Sequence, residues 1–167
     1  MRRDQEEALA VLDAWALNPT SGLPYEVFLL LSRLVPMANV DLLIYDDEGR
    51  ILLTWRDDEI NGVGWHIPGG MIRYKETFEQ RIRATALEEL GAEVEFEEPP
   101  VVEQIIEPER RVRGHFISLV YKCRLLSPPS EEIRFKGGEP KRGQWAWHTR
   151  CPENIIAAHQ RYRRFFS

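Results

Sequence analysis

The most constraining stretch of the chain is GGMIRYKETFEQRIRATALEELG, Gly69 to Gly91. It encloses one helix-length segment between its own start and stop signals. Thr77 followed three residues later by Gln80 is a capping-box pair, in which the hydroxyl and the amide side chain each satisfy a free backbone N–H of the first turn. The pair predicts a helix starting at Thr77. Gly91 ends it, because glycine tolerates the left-handed conformation at a helix C-terminus. At about 100° per residue, Phe78, Ile82, Ala86 and Leu90 make one apolar stripe; Glu89 falls inside it, with Thr85 and Glu88 beside it. A carboxylate on the buried side of a helix is costly unless it is paired, protonated or bound to a metal. Glu88 has a simpler account, as a solvated group or a partner of Arg81. For Glu89 a metal role is a candidate, since hard cations such as Mg²⁺ take carboxylate and carbonyl oxygens and keep waters for a phosphate-bearing substrate. The Pro68-Gly69-Gly70 turn suits it, because glycine lets backbone oxygens come close to a ligand.

Around this segment the pattern is mixed. RRDQEEALAVLDAWAL (2–17) reads as an amphipathic helix with Ala8, Leu9, Leu12, Trp15 and Leu17 on one face. NPTSGLP breaks it, and YEVFLLLSRL (25–34) reads as a second helix, apolar nearly all round and suited to burial or a subunit contact. NVDLLIYDDEGRILLTWR holds two strand-like runs joined at Asp46–Gly49, a hairpin signal. GWHIP, VVEQII, VRGHFISLVYKCRLL and QWAWH read as further strands, 127–143 as a loop, and PENIIAAHQRYRRFF as a closing helix with Pro152 in its first turn. The expected fold is α/β: a mixed sheet with helices packed on it, a helical arm over 1–37 and one domain over 38–167.

Composition narrows the partners. The 167 residues carry a net charge of −5, which disfavours a general nucleic-acid scaffold, since phosphate-backbone binding draws on a basic face. No apolar run approaches the roughly 20 residues of a membrane span. Met1-Arg2-Arg3 runs into DQEEALA with no apolar leader segment, so Cys123 and Cys151 are expected as free thiols in a cytoplasmic protein.

Gly70, Glu76, Ala86, Glu88, Glu89 and Gly91 resemble the Nudix box, G-x5-E-x7-R-E-U-x-E-E-x-G-U with U aliphatic, and the resemblance covers roughly residues 38 to 165. It implies an α/β/α Nudix sandwich and a metal-dependent hydrolase. Ala84-Thr85 stands where the box has Arg-Glu. In the family that arginine steadies the acids, and the glutamate serves as metal ligand or base in members that cleave a diphosphate. Thr85 has neither charge nor useful basicity at neutral pH.

The chain is most similar to the GDP-mannose mannosyl hydrolase branch, which lacks that acid and attacks the sugar carbon. VPMANVDLLIYDDEGRILLTWR, with Asp41 and Arg56 fifteen residues apart, is similar to that branch's segment before the box. The resemblance implies Mg²⁺ (or Mn²⁺) on Glu89 and the Gly69 carbonyl, with Arg56 stabilising the leaving diphosphate. It further implies that Asp41 positions Arg56 or the sugar, and that Glu88 is an outer carboxylate or weak ligand. The branch's loop ligand and histidine base fall at Lys141 and Arg142, which leaves Glu139 as the candidate loop ligand and His115 as a base or a structural histidine. Branch members pair through N-terminal elements, so a homodimer is expected. The rival reading is a Nudix-fold nucleotide or nucleotide-sugar binding module; a third is a conventional diphosphatase. Trp65 and Trp147 could stack a base or pack in the core. Arg110, Arg111 and Arg113 read as a solvated hairpin tip or a diphosphate contact, and RYRR as compensation for a helix dipole.

Overall fold

The computed structural model describes residues 2–59 and 62–166. Two helices lead, α1 (Arg3–Trp15) and α2 (Tyr25–Leu34). Among the described residues eight strands follow. They are β1 (Met37–Ile44), β2 (Ile51–Asp58), β3 (Gly62–His66), β4 (Gly69–Met71), β5 (Val94–Phe96), β6 (Val101–Ile106), β7 (His115–Leu125) and β8 (Trp145–His148). Between β4 and β5 lies α3 (Phe78–Leu90), the helix expected from the capping box: Thr77 Oγ1 accepts from Gln80 N, Thr77 N donates to Gln80 Oε1, and Gly91 ends it at φ 63°.

The strands form two sheets. One is mixed, in the order β4-β1-β7-β5 with β6 also on β7, and its β1–β7 pair is parallel; the other is antiparallel, β3-β2-β8. The expected β1–β2 hairpin is therefore corrected. Its turn forms, with Asp46 Oδ1 accepting from Glu48 N and Arg50 N, but among the described residues the pairing ends at the Asp46 N–Arg50 O bond and the Tyr45–Ile51 bridge. Both edges of β1 are taken, by β4 and β7, so β2 has to leave for the second sheet.

Side chains alternate across each strand and divide the core in two. Val40, Leu42 and Ile44 pack with Ile82, Ala86 and Leu90 of α3. On the opposite face Leu43 joins Ile51, Leu53, Trp55, Trp65 and Tyr162. Asp41 shares the parity of Leu43, and Thr54 and Arg56 share that of Leu52. Phe78, expected in the α3 stripe, is 48% exposed, because it is the first helical residue and projects beyond the sheet that α3 covers.

The closing helix is also corrected. After a turn at 153–154, Ile155 bridges to Trp65 and Ile156 N donates to Trp65 O, so 155–156 run beside β3 and a 3-10 helix begins only at Ala157 (Ala157–Phe165). RYRR is more than a dipole partner. Tyr162 is fully buried, Arg161 Nη1 donates to Gln104 O, and Arg164 pairs with Glu103. Trp65 packs in the core against Trp55, Phe135 and His148, and Trp147 lies partly buried against the α3-side core under Arg50. Both cysteines are free, and no helix is long and apolar enough to cross a membrane among the described residues.

Candidate active site

Strand register brings Glu89 and Gly69 together. In the antiparallel β1–β4 pair, Leu42 N donates to Pro68 O and Ile72 N to Ala38 O, so Asp41–Gly69 is a pair without ladder hydrogen bonds. The N–H and C=O of Gly69 therefore project off the free edge of β4. The N–H meets Glu89 Oε1 at 3.0 Å, while Thr54 Oγ1 donates to Glu89 Oε2 at 3.0 Å. Burial pushes the Glu89 carboxyl up, but the neighbouring His66, the Gly69 amide and the Arg56 guanidinium outweigh it and hold the group below its ordinary range. Glu89 is thus a carboxylate, its side chain a quarter exposed.

Arg56, His66 and Arg113 stand between two cavities. His66 Nδ1 is 2.8 Å from the Thr54 carbonyl, which can only accept, so that nitrogen donates; Nε2 lies 3.1 Å from Arg56 Nη2 and 3.6 Å from Glu89 Oε2. The polar cavity, about 550 Å³, is walled by Thr54, Asp58, Glu88, Glu89 and Arg142. The other, about 110 Å³, is walled by Phe28, Met71, Ile105, Phe116 and His159, with Asn39, Asp41 and Gly69 on its lining. Ile67 N donates to His159 Nδ1, which leaves the His159 proton on Nε2. Burial, with His66 and Arg56 close by, pushes His159 well below the ordinary histidine value, so it is a neutral donor.

Asp41 is 2% exposed, and its hydrogen bonds run to residues other than Arg56. Its Oδ2 accepts from Ser118 Oγ and Tyr162 OH, both at 2.5 Å, and its Oδ1 accepts from Asn39 Nδ2 at 3.0 Å. Burial raises its pKa despite these donors. The expectation that Asp41 positions Arg56 gains no contact. What it holds is the C-terminal 3-10 helix, through Tyr162.

The two departures in the box have local accounts. Thr85 is 2% exposed, its Oγ1 has no hydrogen-bond partner among the described residues, and a Cβ on Gly70 would collide with it, so the threonine fills a tight space beneath β4. Ala84 leaves the box without its arginine, but Arg81, 3% exposed and one turn earlier, is 3.5 Å from Glu76 Oε1 and 3.2 Å from Glu88 Oε1. Glu88 also faces Arg73 at 3.5 Å, and its side chain is 55% exposed. The simpler account of Glu88, pairing with Arg81, is the one the geometry gives.

Of the residues singled out in sequence, Arg56, Glu88 and Glu89 line the larger cavity, and Arg56, Asp41, Gly69, Arg110 and Arg113 the smaller one, Arg113 lining both. Glu139 is exposed and lines neither, because its loop extends away while Arg142 and Gly143 reach the site. His115 sits at the start of β7, 3.3 Å from Gln104 Nε2, and also lines neither. His66, His159 and Tyr162 were missed as site residues, while Arg113 was read only as one of three arginines at a hairpin tip, with a diphosphate contact as the alternative. Only His66 carried a usable signal, as the strand neighbour of the core Trp65 on the face opposite the core.

Among the described residues no three His, Cys, Asp or Glu side chains converge as a metal cage. One ionised carboxylate, Glu89, beside a carbonyl on a free sheet edge does fit an ion that draws its other ligands from water and substrate phosphate, as Mg²⁺ does.

A sheet braced by one helix, whose last turn offers an ionised carboxylate to an arginine-lined cavity, defines a hydrolase of the phosphate-handling kind. The chain belongs to the Nudix family: the NUDIX domain matches residues 35–162. Hydrolases of this family generally use divalent cations such as Mg²⁺ or Mn²⁺. Over 80 residues the chain is 35% identical to the low-salt glycan biosynthesis protein Agl8 of Haloferax volcanii, covering 48% of this chain; the chain spans about half (51%) of that relative's length. A MutT Nudix hydrolase from Burkholderia pseudomallei has the same fold, with TM-score 0.60 and 22% identity over 80% of this chain and 99% of that one. So does a MutT protein from Methanosarcina mazei, with TM-score 0.58 and 19% identity over 78% of this chain and 91% of that one.

Proposed function

We propose that the chain is a Mg²⁺-dependent hydrolase of a nucleotide sugar, GDP-mannose-like, that breaks the bond at the sugar carbon and releases nucleoside diphosphate and sugar. One observation carries this reading: Arg56 lies between a polar cavity holding Glu89 and a smaller chamber walled by Phe28, Phe116 and His159. A diphosphate at Arg56 would send one end toward each. Thr85, buried and uncharged, supports attack away from phosphorus, since no base stands at that box position. The Haloferax relative is named for glycan biosynthesis, which agrees with a sugar-bearing substrate.

In this reading Glu89 and the Gly69 carbonyl would hold the metal, which when bound would offset charge developing on the leaving diphosphate. Glu88, tied to Arg81 and Arg73, would act as an outer carboxylate that draws in the hydrated ion. Arg56 stabilises the same developing charge, its planar fork matching phosphate oxygens. Asp41 keeps Tyr162 and Ser118 in place behind the smaller chamber, and His159 Nε2–H donates to a substrate hydroxyl or ring oxygen there. Departure that runs ahead of attack leaves an oxocarbenium-like carbon, for which water needs no strong base. The expected homodimer belongs to the same proposal: α1 leaves Leu9, Val11 and Trp15 exposed, and sedimentation would report it.

The test is chromatography of products from a panel of nucleotide sugars and nucleoside triphosphates, with Mg²⁺, with Mn²⁺ and with chelator. Nucleoside diphosphate plus free hexose, formed only with metal, is the expected result. Nucleoside monophosphate as first product would overturn carbon attack, and ligand binding without turnover would overturn the reaction altogether.

A further inference from the structure

We infer that Arg113 is a second diphosphate-binding residue and that α2 holds it in position through Phe28 and Ser32, which makes the N-terminal arm part of the substrate site. The inference rests on the diphosphate reading above and extends it to a residue on the far side of the cavities.

In sequence Arg113 is one of three arginines in PERRVRGH, and all three read alike. In the folded chain they differ. Arg111 is exposed, and Arg110 is 3.0 Å from Glu107 Oε2. Arg113 turns inward on a backbone with φ 54°, a left-handed conformation that costs a non-glycine residue strain and that only surrounding contacts can maintain. Those contacts come from α2. Ser32 Oγ spends its proton on Leu29 O at 2.9 Å, so its lone pair is what meets Arg113 N at 3.1 Å. The guanidinium carbon lies 5.5 Å from the centre of the Phe28 ring and 6.0 Å from that of Phe116, between one ring from the arm and one from β7.

Held there, Arg113 lines both cavities beside Arg56. Its Nε is buried and has no hydrogen-bond partner among the described residues. Burial and the neighbouring Arg56 charge both work against the guanidinium's charge, with Asp58, nearby, in partial opposition. Arg56 Nη1 is 3.5 Å from Asp58 Oδ2, so one carboxylate already offsets part of the charge, and the two arginines on the same cavity walls still leave guanidinium donors for an anion with several oxygens. A diphosphate fits, since each phosphate can face one planar fork.

The experiment is calorimetric titration of the full chain with inorganic pyrophosphate in the presence of Mg²⁺. Arg113→Gln keeps the stem between the rings and removes the charge; its Kd should rise about tenfold or more. Arg111→Ala, two residues away and exposed, should stay within about twofold. Ser32→Ala should weaken binding about threefold in the native background and cause no further loss in Arg113→Gln, because residues acting as a unit are not additive. Unchanged affinity in Arg113→Gln would overturn the inference and leave the diphosphate reading intact. An undiminished Ser32→Ala effect in the Arg113→Gln background would overturn the role of α2. No pyrophosphate binding by the native chain would overturn both readings together. Should Arg113→Gln not fold, Phe28→Leu carries the same test: its Kd rises several-fold or the inference falls.

Discussion

Two buried-side carboxylates, Glu89 and Asp41, lie on either side of β4 and have opposite acidities. Glu89 is held below the ordinary range and Asp41 above it. Each accepts hydrogen bonds, so hydrogen bonding alone does not separate them. The difference lies in the charge of the neighbours and in the depth of burial, since Asp41 is 2% exposed and the Glu89 side chain a quarter exposed. Glu89 faces a cavity, with His66 and the Arg56 guanidinium beside it. Asp41 is enclosed by uncharged hydroxyl and amide donors from Ser118, Tyr162 and Asn39. An ionised group with access to a cavity can bind a cation and work on substrate. An enclosed group with a raised pKa holds structure. The comparison assigns chemistry to Glu89 and architecture to Asp41.

The largest effect should come from Glu89→Gln. The side chain keeps its shape and can still accept from Gly69 N, but it loses the charge, and metal-dependent turnover should fall about 100-fold, since weakening a metal site costs on that order. Full activity with an unchanged Mg²⁺ titration would break the comparison at its active half. Tyr162→Phe tests the other half. It deletes one donor to a buried carboxyl and should cost about 1–3 kcal/mol of stability in denaturant unfolding, with Mg²⁺ affinity unchanged.

A smaller effect is pH-dependent. His148, pushed down to about 4 by burial, and His159, held well below the ordinary histidine value, are both neutral in the folded chain. A histidine depressed on folding contributes stability that is complete above its unfolded value near 6.5 and is lost as pH falls toward the folded value. Asp41 has the opposite sign: its raised pKa means that folding is relatively favoured as pH falls through the acid range. Thermal melts from pH 7 to 4.5 should therefore show falling stability, and His148→Phe should flatten the slope while leaving activity at neutral pH unchanged. The smallest effect belongs to Thr85→Val. It removes a buried hydroxyl that has no partner among the described residues, so stability should hold or rise and turnover should stay within about twofold. A large loss of turnover would show that the threonine acts in the reaction.

The parts of this arrangement visible in sequence are those written locally. Thr77, Gln80 and Gly91 define α3 within fifteen residues of one another, so its span and the inward side of Glu89 could be read directly. Asp41 and Arg56 were singled out through the resemblance of their segment to the mannosyl hydrolase branch, but what Asp41 touches was not legible. Its partners Ser118 and Tyr162 lie 77 and 121 residues along the chain, and no local pattern announces them. The β1–β2 turn was written in Asp46 and Gly49, yet the split into two sheets depended on β7 taking the free edge of β1. Arg113 shows the same limit: beside Arg110 and Arg111 it looked like surface charge, and only Phe28 and Ser32, more than eighty residues earlier, set it apart.

The most direct test of the central claim is hydrolysis of the accepted nucleotide sugar in ¹⁸O-labelled water with Mg²⁺, followed by mass spectrometry of both products. The account predicts the label in the released sugar and none in the nucleoside diphosphate, because water attacks carbon. Label in a phosphate would mean attack at phosphorus, and would contradict the assignment built on Thr85 and Arg56.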